Sequence, residues 1–193
     1  MTLLRTMHEE HPESAVLLTE DPAEIGAALA EHGIHYERWD TARGLPADAG
    51  DAEVLDAYRT EIAKVGAEGG YTLIDVARLR PDPADPGWPE RARAARSKFL
   101  EEHRHAEDEV RFFAAGRGCF YLHLGPLVHA VVCEAGDLLS VPAGTAHWFD
   151  MGGEPEFTAV RFFQSADGWV GDFCEVSIAS RFPTLDRILA ERR

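Results

Sequence analysis

From Phe112 to Phe163 short apolar runs alternate with glycine-marked turns, and this rhythm constrains the fold more than any other feature of the chain. Phe112-Phe113 is followed by Gly116-Arg117-Gly118, Cys119 to Leu124 by Gly125-Pro126, and Leu127 to Cys133 by Ala135-Gly136-Asp137. Leu138 to Val141 then meets Pro142-Ala143-Gly144, Thr145 to Phe149 meets Met151-Gly152-Gly153, and Phe157 to Phe163 closes the series. Regularly spaced short strands with turn signals between them predict a mainly β chain, folded as an antiparallel sandwich or barrel.

The preceding residues have a mixed texture. Ala15-Val16-Leu17-Leu18 suits an edge strand. Asp21-Pro22-Ala23-Glu24 reads as a helix start, with an aspartate cap and proline at the first helical position, and Gly33 as its stop. Ile34 to Trp39 alternates like a strand. Val54, Leu55, Tyr58, Ile62 and Val65 recur at helical spacing up to Gly69-Gly70, which predicts one helix, and Tyr71 to Leu79 is a strand candidate. Arg80 to Pro89 carries four prolines and a glycine and reads as a loop. Pro89 then opens a basic helix, Glu90 to Lys98, whose Arg91, Arg93, Arg96 and Lys98 read as a solvated face. Thr184 to Arg193 reads as a capped helix.

Composition removes several function classes. Of 193 residues, 34 are Asp or Glu and 19 are Lys or Arg, for a net charge of -15. Such a surface repels phosphate backbones and anionic lipid, so neither nucleic acid nor a membrane is an expected partner. Cys119, Cys133 and Cys174 form no CxxC pair, which disfavours a zinc ribbon or a disulfide scaffold. With no signal segment or membrane span in the pattern, a cytoplasmic location is expected.

The chemistry concentrates just before the strand series, in His103-Arg104-His105-Ala106-Glu107-Asp108-Glu109-Val110-Arg111. If this stretch is extended, His103, His105, Glu107, Glu109 and Arg111 share one face. Parity alone does not choose between Glu107 and Glu109. His147 lies downstream in another strand candidate, with Phe149 on its face. Imidazoles with a carboxylate suit a borderline divalent transition metal rather than calcium or magnesium. The remaining histidines, His8, His11, His32, His35, His123 and His129, read as surface or structural. Arg161 sits among apolar residues in Phe157 to Phe163. An arginine inside a barrel is costly unless it meets an anion, so Arg111 and Arg161 are candidates either for binding substrate oxygen or for internal ion pairs.

Two spacings carry a resemblance. His103, His105, Glu109 and Gly116 form H-x-H-x3-E-x6-G, and Gly136, Pro142, Gly144 and His147 form G-x5-P-x-G-x2-H. In this order they resemble the two motifs of the cupin superfamily, although Ser97 stands where the first usually has glycine and Met151 where the second often has asparagine. The resemblance implies a double-stranded β-helix (jelly-roll) barrel with flanking, mostly N-terminal helices. It also selects Glu109 over Glu107, for a ligand set of His103, His105, Glu109 and His147. A single domain over 1–193 is expected, with 1–98 packed on the barrel, 99–165 as its core and 166–193 as an extension.

Within the cupins, the run His103 to Phe113 resembles that of acireductone dioxygenases. Phe99, the Pro142-to-Asp150 stretch, Arg161-Phe162-Phe163 and Gly168-Trp169 fit the same family. The resemblance implies one Fe2+ or Ni2+ per monomer and a reaction of O2 with the acireductone 1,2-dihydroxy-5-(methylthio)pent-1-en-3-one. It implies a catalytic Arg111 that stabilises enediolate charge, and substrate contacts from Phe99, Phe149, Arg161 and Trp169. Another cupin dioxygenase, or a cupin that binds a small ligand without turnover, are the alternative expectations.

Overall fold

The computed structural model describes residues 1–41, 45–46, 48–165 and 170–192. Two antiparallel sheets are built around one long strand, β6 (Glu109–Leu124). Its first half pairs with β8 (Asp137–Val141) and β10 (Phe157–Phe163), and beyond them lie β3 (His35–Arg38) and β4 (Leu73–Leu79). Its second half pairs with β7 (Leu127–Glu134) and β9 (Ala146–Asp150). That sheet extends through β1 (Leu3–His8) to β2 (His11–Thr19) on one side, and through β5 (His103–Arg104) to β11 (Asp172–Phe173) on the other.

The expected turn at Gly116-Arg117-Gly118 is therefore absent: β6 runs straight through it and changes sheets. The glycines still have a reason to be there. Gly116 has φ +70°, and a Cβ there would lie 2.0 Å from the Glu156 carbonyl oxygen. A Cβ on Gly118 would meet the Phe149 ring at 2.3 Å. The β6–β10 register also slips between Thr158 and Ala159, the mark of a bulge that turns the strand.

Side chains fill both faces of this framework, which is why the central strands read as nearly unbroken apolar runs. Between the sheets lie Leu4, Phe113, Phe120, Leu122, Val131, Leu139, Val141, Phe149 and Phe157, together with Ile25 and Leu29 of α1 (Pro22–Ala30). The outer face of the first sheet packs Val110, Phe112, Leu138, Val160 and Phe162 against Val54, Tyr58 and Ile62. Val54 belongs to α2 (Asp51–Ala57) and Ile62 to α3 (Arg59–Gly69), and Tyr58 stands between the two helices. The expected single helix is split here, because Tyr58 leaves helical geometry (φ −112°, ψ 21°) as its ring packs edge-on against Phe112. The outer face of the second sheet is covered from the C-terminal side by Phe182, Leu185 and Ile188, the last two from α5 (Leu185–Glu191).

Three further features refine the sequence reading. β1, unmarked in the sequence, is a central strand between β2 and β7. In α4 (Trp88–Ser97), Arg96 is not solvated: its guanidinium makes two bonds, at 2.7 and 3.0 Å, to the buried Asp150 carboxylate. His129 is structural: it lies buried within the β7 ladder, with Nδ1 3.0 Å from the Thr6 hydroxyl. Among the described residues, no helix is long and apolar enough to cross a membrane.

Candidate metal centre

His103, His105, Glu109 and His147 are all buried, and one ligand atom of each lies within 4.8 Å of all the others. They arrive from three strands, β5, β6 and β9, and from the link between β5 and β6. His103 in β5 stands directly opposite His147 in β9. The chain then leaves the ladder through His105 and a bend, and Glu109 opens β6. Continuous alternation from His103 to Arg111 is thus replaced by a turn. Asp108 holds that turn by accepting hydrogen bonds from the Ala143 N–H at 2.9 Å and the Tyr71 hydroxyl at 3.2 Å. The turn also separates the two glutamates that parity left equal. Glu107 faces solvent and accepts from the Gln164 and Ser165 N–H groups and the Ser165 hydroxyl, while Glu109 goes inside.

Each imidazole is oriented by a backbone carbonyl. The Nδ1–H of His103 donates to Glu101 O at 2.7 Å, that of His105 to Val170 O at 3.0 Å, and that of His147 to Thr145 O at 2.8 Å. A carbonyl only accepts, so Nδ1 carries the proton in all three. At His105 and His147, Nε2 then points at the same carboxylate oxygen, Glu109 Oε2, at 3.1 and 2.8 Å. Lone pairs facing a carboxylate oxygen repel unless a cation sits among them. A proton on an imidazole can serve, and so can a metal ion. Ligand distances of about 2.0–2.2 Å put neighbouring ligand atoms about 3 Å apart, as found here. The donor set therefore fits a divalent transition metal.

The charges around the centre agree. Glu109 Oε1 accepts from Arg111 Nη2 at 2.7 Å. Burial alone would raise the Glu109 pKa, but Arg111 and the two imidazoles outweigh it and hold the carboxyl well below its usual range. Burial lowers the His103 pKa and its histidine neighbours add to this. At His105 the bonds to Glu109 and Val170 overcome burial and raise it. The Arg111 guanidinium, itself buried, lies 4.8 Å from the centre of the Phe149 ring, 5.4 Å from Phe120 and 6.0 Å from Phe99.

Of the other expected site residues, Phe99 and Phe149 stand beside Arg111, and the Phe149 N–H donates to Phe99 O at 2.9 Å. Arg161 lies directly across the ladder from Arg111. It makes two bonds, at 2.8 and 2.7 Å, to Asp75 on the next strand, with its side chain 31% exposed. Trp169 lies outside the described residues. Sequence reasoning missed Asp108, Glu102 and the Val170 carbonyl. Glu102 precedes the histidine pair, is buried, and has a carboxylate oxygen 2.6 Å from His123 Nδ1. Neither the spacing nor the residue type marked any of the three.

Fold and site together define a cupin with a mononuclear metal centre. Residues 5–171 match the model of the ARD/ARD' family, and the chain belongs to that family. It is similar to acireductone dioxygenase 1 of Nocardia farcinica, 58% identical over 189 residues covering 98% of this chain and 100% of the relative. The acireductone dioxygenase of Saccharopolyspora erythraea is 50% identical over 192 residues, covering both chains completely. A solved acireductone dioxygenase from Bacillus anthracis, with a cadmium ion in its active centre, superposes with a TM-score of 0.75 at 31% identity. That match covers 90% of this chain and 98% of the other. The chain is accordingly a metal-dependent dioxygenase.

Proposed function

We propose that the chain cleaves the acireductone 1,2-dihydroxy-5-(methylthio)pent-1-en-3-one with O2, as a monomeric single-domain cytoplasmic enzyme of methionine salvage. The observation that carries this reading is the cluster itself. Two acceptor nitrogens converge on Glu109 Oε2 while Arg111 neutralises Oε1, in a chain half or more identical to named acireductone dioxygenases. His103, His105, Glu109 and His147 would hold one Fe2+ or Ni2+. When bound, such an ion would supply a Lewis acid and a template for the enediol oxygens. Iron is expected to give formate and 4-methylthio-2-oxobutanoate, and nickel to give formate, CO and methylthiobutyrate. The same four side chains serve either ion.

The remaining work falls to the protein. Arg111 keeps Glu109 ionised and places a fixed positive charge beside the centre, where it stabilises negative charge on the enediolate. Buried among phenyl rings, that charge is screened little by water. Phe99 and Phe149 offer apolar surface next to it for the methylthio tail, and the family resemblance adds Trp169 to the substrate contacts. Arg161 is assigned a contact with substrate oxygen, a reading that its partial exposure and its anchoring by Asp75 support.

The test is anaerobic mixing of the enediol with metal-loaded protein, followed by O2. Decay of the enediolate ultraviolet band with stoichiometric formate supports the assignment. Loaded protein that binds the enediol and leaves it intact after O2 rules this substrate out.

A further inference from the structure

The three tautomer-fixing carbonyls are not equivalent. Those for His103 and His147 belong to Glu101 and Thr145, each two residues upstream on the same piece of chain. The one for His105 belongs to Val170, 65 residues away. Its side chain is 72% exposed, yet its carbonyl turns inward to the imidazole.

The segment 170–178 that carries this carbonyl makes three hydrogen bonds with Glu102, the neighbour of His103. The Cys174 N–H donates to Glu102 O at 3.0 Å. The Glu102 N–H donates to the Ser177 hydroxyl at 3.2 Å, and the Ile178 N–H to the Glu102 carboxylate at 3.2 Å. Phe173 pairs with His103 in the ladder and sets its ring 5.7 Å from the imidazole. One short segment thus touches two of the three histidines, through contacts that span the whole of the metal-bearing sequence.

We infer that 170–178 is a positioning strap: through the Val170 carbonyl it holds His105 with Nε2 toward the centre, so strap docking and metal binding strengthen one another. Linkage makes the effect reciprocal, since a metal that needs His105 in this orientation must favour the docked strap by the same factor. The inference rests on the metal-centre reading and not on the identity of the substrate.

The full chain, stripped of metal and then loaded with Zn2+, supplies the test. Zn2+ is diamagnetic and takes the same donors. In the wild type, loading is expected to slow amide hydrogen exchange at Cys174 and Ile178 by tenfold or more. Ser177→Ala and Glu102→Ala, which remove strap fastenings and no ligand atom, are expected to weaken Zn2+ affinity about tenfold in chelator competition. In loaded Ser177→Ala, the His105 Nδ1–H resonance should broaden by exchange with water, while those of His103 and His147 persist. General loosening of the barrel would move all three. Equal exchange with and without Zn2+, or affinity within twofold in both variants, overturns the strap. Protein that takes up no Zn2+ at all sinks the metal centre, and the strap with it.

Discussion

Two buried carboxylates, Glu109 and Asp137, occupy comparable depths in this molecule and have opposite surroundings. Asp137, at the junction of β1, β3 and β8, meets only donors. The Thr2 hydroxyl and the Glu134 N–H reach one oxygen at 2.5 and 2.7 Å, and the Tyr36 hydroxyl and Arg38 reach the other at 3.0 and 3.2 Å. Burial nonetheless outweighs these donors and raises its pKa. Glu109 has one donor partner in Arg111, and its other oxygen faces nitrogens whose protons are committed elsewhere. A closed polar network serves structure, whereas one short of a cation marks a place for something to bind.

The sharpest break between the two regions comes from the ligands. His147→Ala is expected to bring bound metal to background and remove dioxygenase activity while the chain stays folded, as read by elemental analysis and circular dichroism. Arg111→Ala should keep the metal and lower kcat by roughly 10²–10³-fold, the size of a lost electrostatic stabiliser. Turnover near wild type would remove Arg111 from the chemistry.

Asp137→Ala should act in the other sense. It takes the carboxylate acceptor from the Tyr36 and Thr2 hydroxyls and the Glu134 N–H, for a loss of about 3 kcal/mol in denaturant unfolding, with one metal per chain retained. Loss of metal in this variant would erase the distinction drawn between the two carboxylates.

A structural histidine supplies a similar contrast through pH. Burial, then the neighbouring His32, pulls the His129 pKa from 6.5 down to about 4. The folded state keeps this ring neutral while the unfolded state protonates it. Its stability contribution is therefore complete above the unfolded pKa near 6.5 and is lost as pH falls toward about 4. The loss is on the order of 3 kcal/mol. In His129→Leu, the slope of unfolding free energy between those pH values should flatten, and an unchanged slope would assign it to other groups. The smallest effect is expected at Arg161. Arg161→Gln should raise KM roughly tenfold with kcat nearly unchanged, as fits a charge-assisted contact that solvent partly screens.

Legibility in the sequence follows the same division. The three clustered histidines and the β-rich core were readable, because imidazole ligands and turn signals leave marks in residue type and spacing, whereas the choice of Glu109 over Glu107 came only through the cupin resemblance. The helix break at Tyr58 was not, since ring packing against Phe112 overrode an intact helical period. Gly116 announced a turn but lies inside β6, where its positive φ and the close approach of the Glu156 carbonyl need a glycine without any chain reversal. The ion pair of Arg96 with Asp150 joins residues far apart in sequence, and local charge pattern is blind to such pairs. The Val170 carbonyl was invisible for a simpler reason: a backbone acceptor leaves no trace in residue identity.

The most direct measurement is calorimetric titration of Ni2+ into metal-stripped wild-type chain and into His147→Ala, at the same pH. One ion per chain in the wild type, with no saturable binding in the variant, is the expected result. Equal stoichiometry and affinity in the two proteins would place the metal elsewhere and contradict the assignment of this cluster.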